Sequence, residues 1–325
     1  MRVTPAPADF GGACLVGECT FAADLLVPST SYLGLQKSGS YLYGTLRDND
    51  GNLLRMLRAV EAEKSVMRSL FVAEPGAQLK RHARSDEMWC GPTTIARDGD
   101  TVVFSSIGGD EAARFRFVHT PDGCTWDDAE VLSVAGFAIG PAVQWFNTFD
   151  GGACLSATAK YLVDGMFLGR AVHGFVGHEI HYFSQGFTWL TAPYGRGREI
   201  CWQQVANEYD DGTMIQATFA YGVDGWGFAM LHDERGEFTS TTQVRAEATV
   251  RYNGYPTRVR YEFAEQSWTW HIDPQGERPS IAGIALLGAD GTCLRDGDTR
   301  EVRAAMGNSD WWTDGRAAPI IVRGP

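Results

Sequence analysis

Residues 244–252 read Val244-Arg245-Ala246-Glu247-Ala248-Thr249-Val250-Arg251-Tyr252. The even positions are small or apolar and the odd ones polar, and an alternation of period two sends the two sets to opposite faces of a β-strand. This is a strand with one buried face. Further strand-like runs occupy 41–46, 101–105, 143–149, 200–208, 214–221, 258–263 and 268–272, with 243–252 the widest reading of the first. Between such runs stand Asx-Gly pairs: Asn49-Asp50-Gly51, Asp98-Gly99, Asp122-Gly123, Asp211-Gly212, Asp224-Gly225, Asp290-Gly291 and Asp296-Gly297. Asx-Gly tolerates the positive φ of a tight hairpin turn, so these pairs predict hairpins. Helical periodicity is sparse; its best candidate, 53–69, fits a strand pair equally well. Many short strands joined by hairpins predict an all-β sandwich or barrel, and barrels remove exposed edges by closing on themselves.

At 325 residues the chain exceeds the usual single core, which makes two modules the natural division. The expected boundaries are 1–185 and 186–325. Hydrophobic residues at 44% and charged residues at 21% exclude a disordered or membrane class. A net charge of −12 repels phosphate backbones and anionic surfaces, so nucleic acid is not an expected partner. Arg55, Arg58, Arg196, Arg198, Arg258 and Arg260 are scattered and read as solvated strand or turn positions. No apolar run is long enough to span a bilayer, and Met1-Arg2-Val3-Thr4-Pro5 leads into no signal-type segment. The expectation is a cytoplasmic protein without membrane insertion; a homodimer is left open. Seven cysteines without a CxxC pair predict buried, reduced thiols rather than a disulfide frame or zinc knuckle. No phosphate-cradling glycine loop is present, and no nucleotide, flavin or metal cofactor is expected.

Two segments carry a family resemblance: Gly174-Phe175-Val176-Gly177-His178-Glu179-Ile180-His181-Tyr182-Phe183, and Ile200-Cys201-Trp202-Gln203-Gln204-Val205-Ala206-Asn207-Glu208-Tyr209-Asp210-Asp211-Gly212-Thr213-Met214. Together they resemble the centre of the lipocalin-like carotenoid 1,2-hydratase and AttH superfamily. The resemblance implies two lipocalin-like (calycin) β-barrels in tandem with a ligand site near their junction. The chain departs from the hydratase at its His-x-Trp and Tyr-x-Asp pairs: Trp202 keeps the aromatic, Ile200 replaces the His, and Gln216 and Thr218 replace the Tyr and Asp. The superfamily also includes cofactor-free cyclases, so the scaffold leaves the reaction open.

Three of the seven histidines, His173, His178 and His181, fall within nine residues, with Glu179 among them. On a continuous strand His173, Glu179 and His181 share one face, while His178, Ile180 and Tyr182 share the other. A carboxylate beside a neutral imidazole makes a plausible acid/base pair. The same cluster can instead staple two barrels through satisfied hydrogen bonds. A metal reading ranks last, since His-Glu-Ile-His lacks the helical spacing of the zincins. Ser156, Cys154 and Cys201 sit in no nucleophile elbow. Aromatics gather before and after the junction (Trp145, Phe146, Phe149, Trp189, Trp202) and fit either core packing or the wall of an apolar pocket.

The functional expectation is a cofactor-independent enzyme, a hydro-lyase or an isomerase/cyclase, acting on a largely apolar isoprenoid, polyketide or aromatic molecule by proton transfer. His178 and Glu179 would move the proton and His181 and Tyr182 would orient substrate oxygen. Trp145, Phe146, Trp202, Gln204, Gln216 and Thr218 would line the pocket. The rivals are a lipophilic-ligand carrier or sensor and an interaction module with exposed aromatics. A carrier needs an unbroken apolar cavity with the His/Glu cluster outside it; an enzyme needs that cluster on the cavity wall.

Overall fold

The computed structural model describes residues 13–27, 31–61, 64–85, 91–108, 114–192, 199–279, 286–312 and 321–323. The first sheet comprises β1 (Cys14–Cys19), β2 (Ser31–Tyr32), β3 (Leu35–Asp48), β4 (Leu53–Glu61), β5 (Lys64–Val72), β6 (Lys80–Arg81) and β7 (Gly91–Asp98). It continues through β8 (Thr101–Ser106), β9 (Phe115–Thr120), β10 (Gly123–Asp128), β11 (Leu132–Ala138), β12 (Ala142–Phe149), β13 (Gly152–Phe167) and β14 (Arg170–Phe183). The second comprises β15 (Glu199–Tyr209), β16 (Met214–Gly222), β17 (Gly227–His232), β18 (Phe238–Thr241) and β19 (Arg245–Val250). Its remaining strands are β20 (Pro256–Phe263), β21 (Gln266–Arg278), β22 (Leu286–Arg295), β23 (Val302–Trp312) and β24 (Ile321–Arg323). The α-helix among the described residues is α1 (Ala23–Leu26), and no described helix is long and apolar enough to cross a membrane.

The protein is all-β, two barrel-type modules in tandem. In the first, β3-β4-β5-β7-β8-β9-β10-β11-β13-β14 run in order and β14 pairs back onto β3, closing the ring. The long β13 makes this geometry work: it pairs with β14 along its length, with β11 through its second half and with β12 through its first. At that fork β12 and β1 leave the ring and run toward the second module, where β1 meets β17 and β18. The second sheet has the order β18-β17-β16-β15-β23-β22-β21-β20-β19-β24 and stays open as a half-barrel around its own core.

Alternation fills both interiors. Leu42, Leu46, Leu54, Met56, Phe104, Phe117, Trp126, Tyr161, Val176 and Ile180 pack inside the first module, and Phe219, Tyr261, Trp268, Trp270 and Trp311 inside the second. Burying a large apolar side chain contributes about 1.5–3 kcal/mol, so each module holds a core of its own. Between the modules lie two apolar patches. One joins Trp145, Phe149 and Phe183 to Trp202, Trp226 and Phe228; the other joins Tyr43, Leu162 and Phe175 to Ala206, Ala304 and Met306.

Several local expectations change. The 53–69 run forms β4 and β5, because its apolar residues meet cross-strand partners on both sides. The 243–252 strand spans only Arg245–Val250, and Tyr252 is fully exposed. Asp290-Gly291 is no turn. Both residues lie inside β22, where a Cβ at position 291 would meet the His271 carbonyl oxygen at 2.1 Å and the Trp270 ring at 2.6 Å, so that crossing requires glycine. Asp122-Gly123 does punctuate a hairpin, with Gly123 already the first residue of β10. Arg55 and Arg58 are buried rather than solvated, each held by a carboxylate or amide. Arg196 and Arg198 lie outside the described residues. Cys14, Cys19, Cys124, Cys154, Cys201 and Cys293 are free thiols, the last four buried; Cys90 lies outside the described residues.

Candidate active site between the modules

The decisive element is β14, a continuous strand whose two faces belong to different compartments. His178, Ile180 and Tyr182 point into the first barrel; His173, Glu179 and His181 point toward the second module. The four expected catalytic residues therefore divide two and two, and the expected His178–Glu179 pair does not form. Glu179 instead meets His181, with Nε2 2.6 Å from Oε1.

His178 is fully buried, ringed by Phe21, Phe104 and Phe117 at centroid distances of 5.0, 5.2 and 5.1 Å. Burial, then the neighbouring His119 and Lys37, holds its pKa well below the usual imidazole range. It is a neutral core ring. Tyr182 donates to the Leu25 carbonyl oxygen at 2.7 Å and anchors α1 against the barrel wall.

The Glu179–His181 pair opens on a cavity of about 150 Å³ between the modules. Its walls are Tyr41, Tyr43, Arg55, Leu57 and Met67 from β3, β4 and β5, Trp145 from β12, and Trp189 from the connection; Glu199, Trp202, Arg278, Leu286, Asn308 and Asp310 complete it from the second module. One end is aromatic. Trp145 and Trp202 lie 5.5 Å apart between centroids, backed by Phe228.

The other end is ionic. Arg55 donates to Thr45 Oγ1 at 2.7 Å and to Asn308 Oδ1 at 2.8 Å, with Asp290 at 3.8 Å. Arg278 meets Asp290 through Nε at 2.8 Å, and its Nη2 reaches Asn308 at 2.7 Å and Asp310 at 3.3 Å. A buried guanidinium needs such partners, because an unpaired charge away from water costs several kcal/mol, on the order of 3–5 when one partner is removed. The Asp310 side chain keeps 36% of its surface open. Burial raises its pKa, and nearby Arg278 and Arg55 only partly oppose this. Tyr43 is held well above the ordinary phenol value, first by burial and then by the Glu179 charge.

The Glu179–His181 geometry fixes a tautomer. With Nε2–H donated to Glu179 Oε1, the neutral ring carries its lone pair on Nδ1, and that atom is buried without a partner. Ser156 Oγ donates to the same Glu179 oxygen at 3.3 Å, steadying the carboxylate from β13.

Of the expected pocket residues, Trp145 and Trp202 reach the cavity. Phe146 packs against the first barrel's core. Gln204 and Thr218 join a polar chain beside the cavity: Lys160 Nζ donates to Thr218 Oγ1 at 3.3 Å, and Thr218 donates to Gln204 Oε1 at 2.9 Å. Gln216 donates to the Pro141 carbonyl oxygen at 2.7 Å and approaches His232. These are ties between the modules. Sequence reasoning missed Tyr41, Tyr43, Arg55, Arg278, Asn308 and Asp310. For Asp310 a signal existed only after pairing: β23 places it directly opposite Trp202, the one aromatic the resemblance had singled out.

No protein-family profile matches the chain, and no curated protein matches it significantly. Among solved structures, an AttH candidate from Nitrosomonas europaea is 15% identical, with 87% of this chain and 94% of that one aligned at a TM-score of 0.51. The shared feature is the fold. Both chains are lipocalin-like barrel proteins, as the central segments implied. Kievitone hydratase from Nectria haematococca aligns over 90% of this chain and 93% of that one, at 8% identity and a TM-score of 0.45.

Proposed function

We propose that the chain is a proton-transfer enzyme, a hydro-lyase or isomerase/cyclase, acting between its two modules on a small, largely apolar molecule that bears an oxygen function. The observation that carries this reading is the unpartnered Nδ1 of His181, buried on the cavity wall with Glu179 fixing the opposite nitrogen. Nδ1 takes a proton from the substrate, and the imidazolium so formed is paired with the Glu179 carboxylate. Asp310, whose acid form burial favours, returns a proton to carbon or to a departing hydroxyl. The first outcome is isomerisation or cyclisation; the second is loss of water. A volume of about 150 Å³ matches cavities known to hold a single benzene ring, so one ring or a short branched unit reacts there. The polar lining speaks for catalysis over carriage, since a carrier of lipophilic ligands gains nothing from two arginines and three carboxyl groups on the wall.

Deuterium exchange tests the step common to all these reactions. The full chain is incubated in heavy water with a panel of small cyclic ketones, enones and phenols whose binding is established by ligand-observed NMR. The expected result is carbon-bound deuterium in at least one bound compound, lost in His181→Ala and reduced roughly 10²- to 10⁴-fold in Glu179→Gln, the contribution of a positioned acid or base. Exchange at wild-type rate in His181→Ala, or none in any bound compound, overturns the reading.

A further inference from the structure

Two donors on the cavity wall have no acceptor. Tyr43 is 3% exposed and its hydroxyl is buried without a partner, a state that buried polar groups rarely keep. Its ring lies flat over Gly177, where a Cβ would come within 2.3 Å of ring carbons, so β14 carries glycine directly opposite Tyr43. The Arg55 guanidinium sits 5.4 Å from the ring centroid and draws the phenol toward donation. Arg278 is the second donor. Its Nη2 donates to Asn308, Ser309 and Asp310 and its Nε lies 2.8 Å from Asp290 without hydrogen-bond geometry, whereas Nη1 makes no hydrogen bond among the described residues and lies over Gly288, 2.5 Å from where a Cβ would stand. Tyr43 comes from the first module and Arg278 from the second, and both line the cavity that holds His181.

We propose that Tyr43 Oη and Arg278 Nη1 form an oxyanion corner, and that the substrate is accordingly a small cyclic carbonyl compound deprotonated at the carbon next to its carbonyl group. This rests on the assignment of His181 as the base. The carbon-bound proton passes to His181 Nδ1, the C–H electron pair becomes a C=C bond, and the carbonyl π pair moves onto oxygen. Tyr43 and Arg278 hold the resulting enolate oxygen. The enolate then collapses to C=O as Asp310 protonates either the γ-carbon of a conjugated enolate or a β-hydroxyl that leaves as water. Donors aimed at a developing oxyanion act only as the charge appears, which makes them effective in a dry site. Burial raises the Tyr43 pKa, so the hydroxyl remains a donor throughout.

Phenolates mimic enolates in charge and shape. The test is binding of 4-nitrophenol and a series of less acidic phenols to the full chain, with the ionised and neutral forms distinguished by absorbance. The expected result is preferential binding of the phenolate, with the phenol's apparent pKa lowered on the protein. Tyr43→Phe should reduce phenolate affinity roughly tenfold to a hundredfold, the range of one charge-assisted hydrogen bond, while leaving thermal stability equal or higher because no partner is orphaned. Gly288→Ala, which displaces the guanidinium, should act in the same direction. Phenolate binding by the wild-type chain transfers no carbon-bound proton and so needs no base, whereas deuterium exchange does; the two assays together separate failure of the corner from failure of the base. Phenolate affinity unchanged in Tyr43→Phe, preference for neutral phenols, or no binding by any member of the series overturns the proposal.

Discussion

Lys160 sits at the join between the modules, and its charge gives a measurable handle on how that join is built. Its ammonium donates to the Ala217 carbonyl oxygen at 3.0 Å and to Thr218 Oγ1 at 3.3 Å. Burial pulls its pKa from 10.5 down to about 7, with the Glu179 carboxylate opposing the drop. At about 1.36 kcal/mol for each tenfold change in proton affinity, that difference corresponds to about 5 kcal/mol. Between about pH 7 and 10.5 the unfolded lysine keeps its proton and the folded one has lost it, so unfolding takes up a proton and stability rises with pH. Below that window both states are charged and the native state bears the whole cost of burying an ammonium. Above it both are neutral and the cost is gone. Lys160→Met keeps a flexible apolar stem and removes the titration. Its two lost hydrogen bonds cost about 0.5–1.5 kcal/mol each at either pH and cancel when the two conditions are compared. Urea denaturation of both proteins near pH 6 and near pH 10 should therefore show the variant's stability relative to wild type falling by about 3–5 kcal/mol from the lower to the higher pH. A relative stability that changes by less than about 1 kcal/mol between the two conditions refutes the account of Lys160 as a desolvated cation.

Asp128→Asn should destabilise the first barrel by about 3–5 kcal/mol in urea denaturation, because it strips the counter-charge from a guanidinium buried without exposure. Arg58 now meets Asp128 at 2.5 and 2.7 Å, with Arg68 at 3.5 Å. A loss below about 1 kcal/mol would show the pair to be dispensable. Gly177→Ala should push the Tyr43 ring off β14, costing about 1–3 kcal/mol by overpacking and lowering phenolate affinity alongside Tyr43→Phe; unchanged affinity would mean the ring does not reach the ligand. Because the Asp310 pKa is raised, its acid form persists to higher pH than an ordinary carboxyl's, and turnover should fall as pH climbs through that value. In Asp310→Asn this alkaline limb should vanish from the kcat/KM profile; a limb of the same shape in the variant assigns the acid elsewhere.

The division of β14 into two faces was legible before any coordinates, since strand alternation alone separates His178 and Tyr182 from Glu179 and His181. What alternation could not reveal was which face met a partner. The reading that paired His178 with Glu179 followed their adjacency in sequence, yet adjacent residues on a strand point in opposite directions, and the imidazole that reaches Glu179 is two positions away. The same limit hid the ionic end of the cavity. Arg55 and Arg278 are separated by more than two hundred residues, and Asn308 Oδ1, which accepts from both, lies on a third strand.

The amino-acid sequence by itself determined that this chain is of the all-β class, because periods of two and Asx-Gly turns are local properties of a few consecutive residues. It also determined a net negative, globular molecule too long for one core. The tertiary structure decided which buried faces turn inward and which meet across the modules. It put one solvated-looking arginine, Arg55, on the cavity wall and buried another, Arg58, in the first barrel, turned one apparent hairpin signal into a glycine crossing inside β22, and set Asp310 opposite Trp202. Those outcomes depend on register between distant strands, and register is fixed by the packing of whole sheets, which no short window of sequence contains.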